Sequence, residues 1–135
     1  MKPFVLVNPE SLPKPRGYNH GALASIRPGD RILFVAGQIG CDKDGAIVSS
    51  DLVEQFERAL RNTLEVVRAA GGDVGSIARL TVYVTDVMLY RAHLKALGAA
   101  YRSAMGKHYP AMAVLEIRGL FDPGAKIELE ATAVL

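Results

Sequence analysis

Residues 31–39 read Arg-Ile-Leu-Phe-Val-Ala-Gly-Gln-Ile, and they constrain the fold more than any other stretch. Side chains alternate across a strand, so Ile32, Phe34 and Ala36 point one way and Leu33 and Val35 the other. Both faces are apolar. The rest of the chain supplies two helices, and two helices cover only one face of a sheet. A large exposed apolar face is unusual on a monomer, so the pattern predicts that another copy of the chain covers the second face.

The other elements follow from period and punctuation. Residues 4–7 are apolar and β-branched and read as a strand. Pro9, Pro13, Pro15 and Gly17 make 8–17 an extended loop. Residues 20–26 suit a short strand, closed by the hairpin-turn signal Arg27-Pro28-Gly29-Asp30. After a loop over 40–45, Leu52, Val53, Phe56, Leu60, Leu64 and Val67 recur at helical spacing and predict a helix over 51–70. Ser50 or Asp51 caps it, Asp51 and Glu54 having capping-box spacing, and Gly71-Gly72 ends it. A strand over 77–84 leads to a second helix over 87–105, with the stripe Tyr90, Leu94, Leu97, Tyr101 and Met105. Strands over 111–118 and 125–135 close the chain. In the last, Ile127, Leu129, Ala131 and Ala133 face one way and Glu128, Glu130, Thr132 and Val134 the other. The order β-β-β-α-β-α-β-β predicts one α+β domain over 1–135, a six-stranded mixed sheet with both helices on one face.

Composition narrows the function classes. Of 135 residues, 50% are hydrophobic and 22% charged, which supports a packed core and not a disordered chain. The net charge is +2 with the signs interspersed, so no basic face points to nucleic acid. Cys41 is the one cysteine; no disulfide forms within a chain, which suits a reducing, cytoplasmic setting. No signal-type leader is read at the N-terminus, and no apolar run approaches the about 18 residues of a membrane span. His93 and His108 lack ligand-spaced neighbours, and no metal site is expected.

Several short patterns coincide in order. They are Gly17-Tyr18 after the proline-rich loop, Ala36-Gly37-Gln38-Ile39, Gln55 and Asn62 seven apart on the first helix, and Ala69-Ala70-Gly71 at its end. Thr81-Val-Tyr-Val-Thr-Asp86, Tyr101, Pro110-Ala111 and Glu128-Leu-Glu-Ala131 follow. Together, over residues 13–134, they resemble the RidA (YjgF, endoribonuclease L-PSP) family, with its Gly-Pro-Tyr, Ser-Gly-Gln-Ile, Gln…Asn and Glu-Ile-Glu-Ala segments. The resemblance implies a chorismate-mutase-like fold, a homotrimer and small-molecule clefts between subunits. It also implies hydrolysis of imines and enamines such as 2-aminoacrylate to ketoacid and ammonia, without a cofactor. In that family an arginine after Pro-Ala holds the substrate carboxylate, and a glutamate of the last strand positions water. Here Met112 stands at the arginine position, Ala36 at the serine of Ser-Gly-Gln-Ile, Gly98 at an asparagine of the second helix, and Val114 at a cysteine found in some members. Glu128 and Tyr18 are kept.

The resemblance makes Glu128 and Tyr18 the candidate catalytic residues, and Arg16, Tyr18, Ala36, Gly37, Gly98 and Met112 the candidate substrate-binding residues. Each has a plainer alternative. Glu128 is either a water-orienting base or a solvated carboxylate on an edge strand. Tyr18 closes a cleft or packs over the core. His20 is an acid–base group or a surface histidine. Arg16 and Arg118 are possible sources of a replacement guanidinium. Cys41 has no flanking base, which fits an inert thiol, and Glu130 reads as structural. Three functions stay open: an imine or enamine hydrolase of non-standard specificity, a non-catalytic trimer that binds a small metabolite, and an endoribonuclease or translation inhibitor. The near-neutral charge speaks against the last. If a second copy covers strand 31–39 as in a homotrimer, light scattering gives three times the chain mass. A monomer mass at micromolar concentration defeats that expectation.

Overall fold

The computed structural model describes residues 4–135. In chain order it contains β1 (Phe4–Val7), β2 (Gly21–Ala24), β3 (Ile32–Ile39), α1 (Leu52–Ala69), a 3-10 turn (Val74–Ser76), β4 (Ile77–Val84), α2 (Val87–Ala92), α3 (Leu94–Met105), β5 (Ala111–Glu116) and β6 (Ile127–Val134). Every expected strand forms, and the arrangement is α+β with a mixed sheet. The hydrogen bonding divides the six strands into a four-stranded sheet, β3-β6-β4-β5, and a hairpin, β1-β2. Only β4 and β5 run parallel within the larger sheet. A bridge from Asn19 to Ala111 links the hairpin to β5, and the Asn19 amide donates to the Pro110 carbonyl at 3.0 Å. The Arg27–Asp30 turn forms, with Gly29 at φ 95°, but it joins strands that do not pair with each other.

Helix α1 has the ends its sequence predicts. Asp51 accepts from the Glu54 amide at 3.0 Å, and Gly71 takes φ 93° just past the last turn. The return half of the capping box is replaced: Ser49 Oγ accepts from the Asp51 amide. The second predicted helix breaks at His93, whose φ of −120° separates α2 from α3. Its ring Nδ1 lies 2.9 Å from the Leu89 carbonyl, and its backbone amide donates to Tyr90. The break parts the expected stripe. Leu97, Tyr101 and Met105 stay in the core, whereas Tyr90 and Leu94 border a cavity.

The core lies between α1, α3 and one face of the sheet. Phe56, Leu60, Leu64 and Val67 meet Leu80, Val82, Ile127 and Leu129 there, all essentially inaccessible to water. The opposite sheet face is mixed. Phe34 remains 77% exposed and Ile32 49%, while β4 and β6 present Tyr83, Glu128, Glu130 and Thr132. The apolar second face of β3 is thus exposed, and Leu115 of β5, opposite Tyr83, adds an exposed apolar side chain at the other edge. Glu130 accepts from the Tyr83 hydroxyl, which raises the tyrosine pKa, and this supports its structural reading.

Two polar side chains of α1 fasten the helix to the sheet. Gln55 is fully buried; its Nε2 donates to the Ser49 and Gly124 carbonyls, and its Oε1 accepts from the Lys126 amide. Asn62 Nδ2 donates to the carbonyls of Ile39 and Cys41, both at 3.0 Å. Between them Gly40 lies directly on the helix, where an added Cβ would sit 2.6 Å from the Gln55 backbone.

Gln55→Leu keeps the volume but strips three part-buried backbone groups of partners, each worth up to about 1–3 kcal/mol. The expected loss, after partial relief by water, is about 2–5 kcal/mol in urea unfolding at fixed protein concentration. A loss within the scatter of ordinary surface changes contradicts that role. Gly98 behaves oppositely. It lies inside α3, where glycine is about 0.5–1 kcal/mol worse than alanine. A Cβ there meets only the flexible tip of Arg102, Nη1 at 3.2 Å. Gly98→Ala is expected to raise the unfolding free energy by about 0.5–1 kcal/mol, seen as a higher urea midpoint. A lowered midpoint would mean that the Arg102 tip cannot move aside.

Candidate functional site

A cavity of about 540 Å³ opens between α2, α3, β5 and the end of the proline-rich loop. The loop is held there through Asn19. Its Nδ2 donates to the Tyr109 carbonyl and its Oδ1 accepts from Asn8, whose own Oδ1 accepts from the His20 amide. Arg16, Gly17 and Tyr18 therefore form one wall. Helix α3 gives Leu97, Gly98, Tyr101 and Arg102, and β5 gives Met112. Tyr101 stacks on Tyr109 with ring centres 5.2 Å apart, and its hydroxyl donates to the His108 carbonyl at 2.6 Å. Burial pushes the pKa values of Tyr101 and Tyr90 up, so both stay neutral across the physiological range.

Of the candidate site residues, Arg16, Tyr18, Gly98 and Met112 line this cavity. Ala36, Gly37 and Glu128 do not. Gly37 sits at a bulge between Val35 and Gln38 of β3, and the Glu128 carboxylate rests against it. An added Cβ on Gly37 would fall 1.8 Å from Glu128 Oε1, so glycine makes room for that carboxylate. The pairing register fixes the sides. Met112 lies opposite Leu80, whose side chain is in the core, whereas Glu128 lies opposite Tyr83 on the other face. Within one chain the candidate residues thus form two sets on opposite sides of the sheet. Strand β6, expected at an edge, is internal, so Glu128 projects from the middle of its face.

The remaining candidates have structural surroundings. His20 packs edge-on against Tyr18, ring centres 5.3 Å apart, and its Nε2 lies 2.7 Å from the Pro13 carbonyl. A carbonyl only accepts, so this nitrogen carries the proton and braces the loop. His108 is buried, with Nε2 2.7 Å from the Ile77 carbonyl. Cys41 is half-buried beneath Asn62. Arg118 is exposed beyond the end of β5, which stops at Glu116, and it does not reach the cavity. Among the described residues no group of three His, Cys, Asp or Glu side chains is placed to hold a metal ion, and no helix is long and apolar enough to cross a membrane.

Arg102 is the cavity residue that sequence reasoning missed. Its signal was Gly98 one helical turn earlier, an i, i+4 neighbour that leaves the guanidinium space to fold back over α3. Among the described residues, neither Arg16 nor Arg102 has a carboxylate within 4 Å; the one ion pair is Arg61–Glu57.

Comparison with known proteins agrees with this architecture. The family model described as endoribonuclease L-PSP matches residues 12–135. A human 2-iminobutanoate/2-iminopropanoate deaminase is 31% identical over 106 residues, 78% of this chain and 74% of that protein. The RutC family protein y4sK of Sinorhizobium fredii is 36% identical over 112 residues, 82% of this chain and 84% of its own. Among solved structures, the Rid-family protein YyfB of Yersinia pestis, a protein of unknown function, superposes with a TM-score of 0.86 at 30% identity, covering 98% of this chain and 99% of that one. E. coli TdcF with bound serine gives a TM-score of 0.67 at 28% identity, over 87% of each chain. With its sequence motifs, strand order and almost full length in agreement, the chain belongs to the endoribonuclease L-PSP family, that of RidA and YjgF.

Proposed function

We propose that this protein is a cofactor-free imine or enamine hydrolase of non-standard substrate range, acting in a cleft completed between copies of the chain in a homotrimer. The observation that carries the reading is the division of the candidate residues into two sets. Arg16, Tyr18, Gly98 and Met112 border a cavity on the helix side, and Glu128 lies on Gly37 on the other. A ligand reaches both sets only where the cavity of one chain meets the outer sheet face of another. The exposed Phe34 and Ile32 give that face an apolar surface to bury.

In this reading Glu128 takes a proton from water as the water oxygen adds to the imine carbon. Glu128 returns that proton to the nitrogen, and as the new hydroxyl gives up its own proton to the nitrogen the carbon–nitrogen bond breaks, releasing ammonia and leaving a carbonyl product and a free carboxylate. The Tyr18 hydroxyl is a neutral donor for the polar end of the ligand. Met112, Leu97 and Tyr101 favour an apolar body. The same apolar walls support a second reading, a trimer that binds such a metabolite without turnover. The interspersed charge gives no support to RNA cleavage.

The test is ammonia release from imines generated in place by an amino-acid oxidase, alongside an arginine-bearing family member. A small imino acid must bury its carboxylate beside Met112, which donates nothing. Two charge-assisted hydrogen bonds are absent, about 3–6 kcal/mol, so 2-aminoacrylate should react roughly a hundredfold to ten-thousandfold more slowly. Imines of larger apolar amino acids are expected to react faster than 2-aminoacrylate. Met112→Arg restores part of the small-substrate rate, while Glu128→Gln and Gly37→Ala abolish turnover of every substrate. Turnover that survives Glu128→Gln refutes the hydrolytic role, and a rate on 2-aminoacrylate equal to the relative's refutes the argument from Met112.

A further inference from the structure

We infer that Arg102, reaching over Gly98 from α3, is the anchor for a carboxylate in this cavity, and that the ligand class is a monoanion with an apolar, ring-sized body. The inference rests on the reading of this cavity as the ligand cleft but not on turnover. Three independent features support it. First, the walls are apolar and aromatic apart from a few groups, and Arg16 and Arg102 are the charged side chains among them. Among the described residues neither guanidinium has a carboxylate within 4 Å, so both keep their donors for a ligand. Second, Gly98 stands inside a helix that otherwise favours Ala, Leu, Lys and Arg, and it is less stable there than alanine. Its missing side chain is the space that the Arg102 tip occupies, 3.2 Å from where a Cβ would be. Third, no Asp or Glu of the same chain lines the cavity, so within one chain no carboxylate competes for the two guanidinium groups.

The position of the anchor sets the shape of the ligand. A guanidinium at Met112 would project from β5, whereas Arg102 belongs to α3 and its tip lies beside Gly98. A carboxylate held at α3 leaves the apolar body lying over the aromatic pair. The cavity volume of about 540 Å³ is within the ordinary range for such ligands. Arg16 is the other guanidinium on the cavity wall.

The experiment is isothermal titration of the full-length protein with phenylpyruvate and with phenylacetone, which replaces the carboxylate by a methyl group. Phenylpyruvate is expected to bind more tightly. Arg102→Gln should weaken it about tenfold to a hundredfold and leave phenylacetone unchanged. Arg102→Lys should restore part of the loss, and Gly98→Asn, which displaces the guanidinium, should mimic it. Absence of saturable phenylpyruvate binding, equal affinities for the two ligands, or an unchanged affinity in Arg102→Gln each overturns the assignment. So does parallel loss of both ligands, which marks Arg102 as merely structural. If the Arg102 effect holds and the imine of phenylalanine still releases no ammonia above background, the hydrolytic reading fails and the anion site stands.

Discussion

A strand paired along both edges cannot slip by one residue without turning its buried side chains outward. Strand β6 is such a strand, held by β3 on one side and β4 on the other. Its register puts Ile127, Leu129, Ala131 and Ala133 into the core, and the same register forces Glu128 and Glu130 onto the opposite face. Burial of the four apolar residues therefore fixes the position of a carboxylate that contributes nothing to the core. The β3 bulge completes this arrangement. An extra residue beside Gly37 breaks the regular ladder, and the missing side chain lets the Glu128 carboxylate lie against the backbone.

The attachment of α1 to the sheet uses polar groups in place of more apolar area. Gln55 uses both its amide nitrogen and its oxygen on backbone groups at 49, 124 and 126, which belong to two segments far apart in sequence. Asn62 uses its amide nitrogen alone, donating to the carbonyls of Ile39 at the end of β3 and of Cys41. These are demanding interactions, because each buried group left without a partner costs free energy. They hold the Gly37 region of β3 and the start of β6 in place against one helix, so the spacing of seven between the two amides on α1 is a structural device.

Much of this was legible in the sequence, and the failures have physical causes. The limits of α1 were readable because both cap residues act locally, Asp51 through its own side chain and Gly71 through its backbone. The alternation of β6 was readable because one face is wholly buried. Its place inside the sheet was not, since strand order depends on long-range pairing that no local period encodes. The break at His93 was hidden for a related reason: Tyr90, Leu94 and Leu97 keep helical spacing, and the interruption lies in one residue's backbone angles. The hairpin turn at 27–30 shows the reverse error. Its local chemistry was right, but the two strands it joins find other partners.

The candidate site was legible only in part, because motif positions identify residues and not the directions in which long side chains run. Met112, Tyr18 and Gly98 line one cavity. Gly98 and Met112, however, read in the sequence as two separate losses, a missing asparagine and a missing arginine. In three dimensions they belong to one exchange. Removing a side chain at 98 opens the helix surface to the residue four positions later, and the flexible stem of Arg102 brings a guanidinium to the cavity from the helix side. A positive charge on β5 would hold an anion beside the strand, close to any reacting centre, and so suits small ligands. A positive charge delivered from α3 would hold the anion beside Gly98 and leave the apolar strand wall to the rest of the molecule. Moving the charge from strand to helix thus changes which ligand length fits, while the sheet and its carboxylate stay as the register of β6 sets them.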